Sequence, residues 1–208
     1  MIIETSKPDS AKKLSYFAMD KSDVKEVVKI HNYELNLSVL TLFGSAFLRR
    51  MYLVLLKKGN WGFVVKLEGN IIGFIFASKS EISFFRCLSI TSIFFFLINS
   101  IRNPMKFISF LFLLKEFYLR FVKNKSFPRE TMIELFNFAV KKNYQGGGIG
   151  KKLIKNLEVK AKASGFTQVF TRTHNEKLSD YYIKNKNATV IKKIKTGTQG
   201  SMILKWKI

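Results

Sequence analysis

The sequence predicts an α/β fold, and three features predict it. Trp61–Leu67 and Asn70–Ala77 are β-rich runs on either side of Glu68-Gly69-Asn70, a tight-turn signal that makes them a hairpin. Val24, Val27, Val28, His31 and Leu35 recur at helical spacing, as do Phe47, Leu48, Met51, Tyr52 and Leu55. The apolar run Met132–Val140 is followed by Tyr144-Gln-Gly-Gly-Gly-Ile-Gly-Lys-Lys152 and then by Leu153, Ile154, Leu157 and Ala161, which is the order strand, loop, helix.

Taken from the amino terminus, Leu14–Met19 reads as a first strand and Ser22 as the N-cap of the helix that carries Val24 to Leu35. A second helix is expected over Phe43–Lys57. The hairpin follows, then the long strand with its glycine loop, then Phe166–Thr173 as the next strand and the segment Asn175–Tyr182 after it. With 208 residues and 47% apolar side chains the chain is expected to form one domain, 1–208, and a disordered chain is excluded.

The glycine loop carries the strongest chemical signal. Glycines let backbone N–H groups turn inward, and a helix beginning near Gly147 adds the positive end of its dipole, so the turn suits a diphosphate. Lys151 and Lys152 add mobile positive charge at the same place. Spacing excludes two familiar loops. A P-loop register puts Gln145 where its first glycine belongs and Lys152 where its hydroxyl belongs, and neither dinucleotide-fingerprint register finds its third glycine.

What fits is Gln145-x-x-Gly148-x-Gly150, which resembles the acetyl-CoA motif, Gln/Arg-x-x-Gly-x-Gly/Ala, of the GCN5-related N-acetyltransferase (GNAT) family. The resemblance extends to Asn175 and to a tyrosine, Tyr182, seven residues later. It implies a mixed, mostly antiparallel central sheet flanked by helices, with Thr189–Ile194 and Ser201–Ile208 as the last two strands. It also implies acetyl-CoA as co-substrate, transfer of acetyl to a primary amine, and cofactor contacts from Phe138, Ala139, Val140, Gln145, Gly146, Gly147, Gly148, Ile149, Gly150, Lys151 and Asn175. The backbone of Phe138–Val140 is expected to pair with the pantetheine arm as an added strand.

Acetyl transfer from a thioester needs a held cofactor, a polarised carbonyl, a neutral amine and a proton for the departing thiolate. By resemblance Tyr182 is the expected general acid, the bland alternative being that it and Tyr181 simply pack. Glu134 on the cofactor strand leads as general base, with Glu130 second; strand alternation decides which face each serves. His31 and His174 have no cysteine or carboxylate cluster around them, so no metal site is expected. His31, on an apolar stripe, reads as a satisfied buried imidazole, and His174 as a weaker acid/base candidate beside Asn175.

Residues 82–128 do not belong to that pattern. They are rich in Phe, Leu and Ile, and Asn103-Pro104 divides them into two expected helices, an inserted hairpin. Arg86, Arg102, Lys106, Lys115 and Arg120 break up the apolar runs, which disfavours a membrane-spanning helix. The aromatic density suits the sheet, a second subunit or a membrane surface. The alternative function is therefore a non-catalytic acyl-CoA-binding or membrane or partner adaptor. From Lys141 onward 16 Lys and Arg stand against 3 Asp and Glu, part of a net charge of +22 that calls for anions nearby or is plain solvated surface. No nucleic-acid reading element accompanies it, so nucleic acid is not the expected partner. The lone Cys87 and the absence of a signal-like amino terminus point to the cytoplasm.

Overall fold

The computed structural model describes residues 14–36, 38–57, 59–79, 108, 131–196 and 199–208. The expected inserted hairpin and Glu130 lie outside the described residues, apart from Ile108.

One seven-stranded sheet organises the chain. Its strands are β1 (Leu14–Ala18), β2 (Trp61–Leu67), β3 (Asn70–Ser78), β4 (Met132–Val140), β5 (Gln168–Thr173), β6 (Thr189–Thr196) and β7 (Gln199–Lys207), in the spatial order β1-β2-β3-β4-β5-β7-β6. Every neighbouring pair is antiparallel except β4 with β5, which is parallel. Among the described residues the longer helices are α1 (Val24–Glu34), α2 (Gly44–Lys57), α3 (Ile149–Ala163) and α4 (Glu176–Lys186).

The hairpin β2–β3 turns on Glu68 and Gly69 with φ of 49° and 80°. Two consecutive positive-φ residues match the right-handed twist of the flanking strands, which is why glycine occupies the second position. The expected N-cap of α1 moves by one residue. Asp23 is the cap position, and Ser22 instead donates its hydroxyl to Asp20 Oδ1 at 2.6 Å in a turn that also gathers the Ser22 and Asp23 amides. Asp23 is thereby free to meet Lys66 Nζ of β2 at 2.7 Å, tying the start of α1 to the sheet. The helix expected from Phe43 begins at Gly44, preceded by a 3-10 segment, Val39–Phe43, because Gly44 has φ of 82°.

Each face of the sheet has its own core. On one, Val24, Val27, Val28 and Ile30 of α1 and Phe47, Leu48, Met51, Tyr52 and Leu55 of α2 bury Phe74, Phe76 and Ala139. On the other, Ile149, Leu153, Ile154, Leu157 and Ala161 of α3 and Tyr182 of α4 cover Val65, Ile75, Ile133, Leu135, Val169, Leu204 and Trp206. All predicted helical-stripe residues are buried except Leu35, which is half-buried at the C-cap of α1. Each such large side chain contributes about 1.5–3 kcal/mol on burial. Glu158 of α3 closes the second layer, accepting from Trp206 Nε1 at 2.8 Å and pairing with Lys186 Nζ at 2.7 Å.

Candidate active site

The site begins with a defect in β4. Phe76 faces Asn137 and Ala77 faces Leu135, so Phe136 has no partner on β3 and forms a β-bulge. Pairing with β5 stops at the same point: Met132 to Leu135 match Gln168 to Thr171, and no pair follows although both strands continue. A bulge bends its strand, and here the bend turns β4 away from β5. Thr171 Oγ1 donates to the Leu135 carbonyl at 3.0 Å and closes the ladder at its last rung.

Beyond that rung one edge of β4 is left without a strand among the described residues. Lys141 N donates to Ile72 O of β3 at 2.8 Å, and alternation along the strand then directs the backbone of Asn137 and Ala139 to β3 and that of Phe138 and Val140 to the open side. The Val140 carbonyl is taken by Gln145 Nε2 at 2.7 Å. Among the predicted cofactor-strand residues, then, Phe138 and Val140 present main-chain groups to the slot, and Ala139 does not.

The open edge runs into the glycine turn. Residues 145–148 are exposed, with Gly146 and Gly148 at φ of 86° and 77°. α3 begins at Ile149, two residues later than the expected start near Gly147. Its cap, Gly148, has no side chain, and its first turn contains no acidic residue. The leading N–H groups of α3 therefore have no side-chain cap, in contrast with α4, where Asn175 Oδ1 accepts from Leu178 N at 3.1 Å. An uncapped, exposed helix start with Lys151 and Lys152 in its first turn offers hydrogen-bond donors, a positive dipole end and positive charge at one place. Lys152 Nζ stands 4.5 Å over the Tyr16 ring of β1, a cation–π contact.

Gly150 has a further reason to be glycine. A Cβ there would stand 2.8 Å from Cζ of Phe138, so the absence of a side chain lets α3 sit down on the ring at the open edge. Gly147, by contrast, has open space around it.

The remaining candidates fall on two faces. Ile133 and Leu135 belong to the α3/α4 core, so Glu134 between them points to the α1/α2 face, where it is buried across from Ser78. Tyr182 is on the opposite face, fully buried and stacked on Trp206 with centroids 4.9 Å apart. Its hydroxyl and that of Tyr181 are buried without a partner. Burial raises the Tyr182 pKa above its ordinary value, with Tyr181 and Glu158 adding to the rise, so the phenol stays protonated at neutral pH. Asn175 spends its oxygen on capping α4, and His174 is exposed beside it.

His31 departs from the satisfied imidazole expected. Its Nδ1 meets Tyr52 Oη at 2.8 Å, but Nε2 is buried with no partner, and burial lowers its pKa from 6.5 to about 4. The Asn137 side chain is the other polar neighbour of the Tyr52 hydroxyl. In the sequence the only sign of this group is a lone amide, Asn137, in the otherwise apolar run Leu135–Val140. Among the described residues no group of three or more His, Cys, Asp or Glu could hold a metal, and no helix is long and apolar enough to cross a membrane.

A mixed sheet that parts between two parallel strands, with a glycine turn and a bare helix start at the mouth of the gap, defines a fold built to take an extended ligand between its strands. The model of the acetyltransferase (GNAT) family matches residues 42–184, and the chain belongs to that family. Solved structures agree on the fold. An N-acetyltransferase from Staphylococcus aureus Mu50 superposes with a TM-score of 0.57 at 13% identity, covering 94% of this chain and 98% of its own. The yncA protein of Salmonella typhimurium, determined with acetyl-CoA, gives 0.57 at 13% identity over 94% of each chain. The paia N-acetyltransferase of Thermoplasma acidophilum, in complex with coenzyme A, gives 0.54 at 12% identity over 94% and 99%. No curated protein matches the sequence.

Proposed function

We propose that this protein transfers an acetyl group from acetyl-CoA to a primary amine. The observation that carries the reading is the continuity of the site: the open edge of β4 after Leu135 leads without interruption to the exposed, uncapped start of α3. The diphosphate of acetyl-CoA belongs on the amides of residues 146–151, and the pantetheine amides belong on the main-chain groups of Phe138 and the N–H of Val140, whose carbonyl Gln145 already occupies. The Salmonella and Thermoplasma structures of the same fold were determined with acetyl-CoA and with coenzyme A, which supports a ligand of this class.

The thioester then lies where β4 and β5 separate. The amine nitrogen attacks the carbonyl carbon, the C–S bond breaks, and its electron pair leaves on sulfur as a thiolate that takes the Tyr182 proton. Glu134, on the α1/α2 face of the same strand, accepts the proton lost by the amine, directly or through a water. Tyr182 is the donor proposed here because its hydroxyl is protonated and has no hydrogen-bond partner; the rise in its pKa by burial weakens it as an acid, which the charge developing on a neighbouring sulfur has to offset. Calorimetry with CoA, and thiol release from acetyl-CoA across a panel of amines, test the reading. CoA binding that Gly148→Glu abolishes supports it; absence of CoA affinity in the wild-type chain defeats it.

A further inference from the structure

The half of the sheet beyond the split carries charge of one sign. Strands β5, β6 and β7 contain Lys and Arg but no Asp or Glu. Their two faces differ. Val169, Leu204 and Trp206 belong to the α3/α4 core, so alternation and cross-strand register put Phe170 and Arg172, with their β7 partners Lys205 and Ile203, on the α1/α2 side of the sheet. Lys192 of β6, opposite Ile203, stands on that side too. The helices of that side lie over β2, β3 and β4.

Exposed lysines such as Lys192 are common on any solvated surface, and Arg172 is a different case. It is half-buried, and its Nε donates at 3.2 Å to Oγ of Ser201, a buried side chain on β7. That bond fixes the plane of the guanidinium, a fork that matches the two oxygens of a carboxylate or phosphate. Its place on the strand is as specific. Thr171 is the last residue of β5 to pair with β4, so Arg172 is the first past the split. Glu134 pairs with Phe170, and Arg172 is two residues further along on the same side. Two residues of strand and one strand spacing separate the Cα atoms of Glu134 and Arg172 by about 8 Å. An amine that gives its proton to Glu134 and attacks a thioester at the split therefore has the guanidinium within a few bonds of its nitrogen.

We propose that the acceptor is an amine carrying a carboxylate or phosphate a few bonds from its nitrogen, and that Arg172, positioned by Ser201, holds that oxyanion while the nitrogen faces the thioester. Lys205, in the same row as Glu134 and Phe170, adds attraction for the same charge. The inference rests on the acetyl-CoA reading above and adds to it the class of acceptor.

The test uses conjugates in which the CoA sulfur is joined through an acetyl carbon to the amine as an amide, so that one molecule fills both sides of the split and no turnover is needed. Conjugates of glycine, β-alanine and 4-aminobutyrate are compared by calorimetry with those of ethylamine, propylamine and butylamine, which carry a methyl in place of the carboxylate, and the conjugate of phosphoethanolamine with that of ethanolamine. In the wild-type chain at least one acidic conjugate is expected to bind roughly 10- to 150-fold tighter than its neutral mate, the worth of a hydrogen bond to a charged group, and the pair with the larger ratio tells carboxylate from phosphate. Arg172→Gln is expected to bring that ratio close to one with CoA affinity unchanged, a result that a purely structural arginine does not give. Arg172→Lys keeps the charge without the fork and is expected to retain part of the ratio. Ser201→Ala, which releases the fork, is expected to lower it as well. Ratios near one for every pair in the wild type overturn the proposal, and so does a ratio that survives Arg172→Gln. If Arg172→Gln does not fold, Ser201→Ala decides: an undiminished ratio overturns it. A wild-type chain that binds neither CoA nor any conjugate defeats the acetyl-CoA reading and this inference with it, whereas one that binds CoA and all conjugates alike leaves that reading standing and removes the anion from the acceptor.

Discussion

Replacing Tyr182 by Phe separates packing from chemistry in one side chain. The phenol ring is fully buried and stacked on Trp206, and Phe keeps that stack; what is lost is a hydroxyl that has no partner in the free protein. An unsatisfied buried hydroxyl costs about 1–3 kcal/mol, so Tyr182→Phe is expected to be as stable as the wild type or more so. For a chain of this size each 1 kcal/mol gained raises Tm by roughly 2–4 °C. If the hydroxyl protonates the leaving thiolate, the same substitution lowers acetyl transfer by about 100-fold or more, the usual worth of a general acid. Urea unfolding gives the first number and thiol release from acetyl-CoA with an amine panel the second. A variant less stable by 1 kcal/mol or more would show that the hydroxyl is bonded within the protein, and an unchanged rate would remove Tyr182 from the reaction. Tyr182→Ala, which forfeits the stack, is expected to cost about 3–5 kcal/mol and serves as the packing reference.

The glycines of the turn are expected to differ among themselves. Gly148→Ala meets a left-handed φ of 77° and is expected to lose about 1–2 kcal/mol and weaken CoA binding, whereas Gly147→Ala, in open space without a positive φ, is expected to fold as the wild type does. Gly150→Ala pushes on the Phe138 ring from 2.8 Å, and CoA titration is expected to show the resulting distortion of the open edge as weaker binding. Stability is expected to depend on pH through His31. Burial lowers its pKa from 6.5 to about 4, so the unfolded chain takes up the proton first; the contribution is complete above pH 6.5, declines as pH falls, and is gone near pH 4. The whole is worth about 3 kcal/mol. Urea midpoints measured across that window are expected to fall less steeply for His31→Leu, and identical profiles would show that the imidazole is already solvated in the folded state.

Much of the fold was legible because it is written in local periods. The stripe Phe47, Leu48, Met51, Tyr52 and Leu55 marks a helix whatever it packs against, and Glu68-Gly69 turns a hairpin for steric reasons contained in two residues. The last strands were placed to within a few residues, and the helix starts slipped by one or two because Asp23, Gly44 and Gly148 act through φ angles and competing side-chain bonds that a pattern of apolar residues does not encode. For the site, spacing found the turn but assigned all its residues one role. The structure divides them: Gln145 folds back on the Val140 carbonyl, Gly148 turns the chain, Gly150 makes room for Phe138, and Asn175 caps a helix.

By itself the amino-acid order determined the kinds of elements, their succession and the glycine turn between β4 and α3, since each depends on neighbours within a few residues. Only the folded chain decided that Phe136 bulges, that β5 leaves β4 after Leu135, and that His31, Tyr52 and Asn137 meet on the α1/α2 face of β4. Those three lie on separate elements, 21 and 85 residues apart along the sequence. Their meeting is set by how two helices and a bent strand pack together, and no local pattern carries that information.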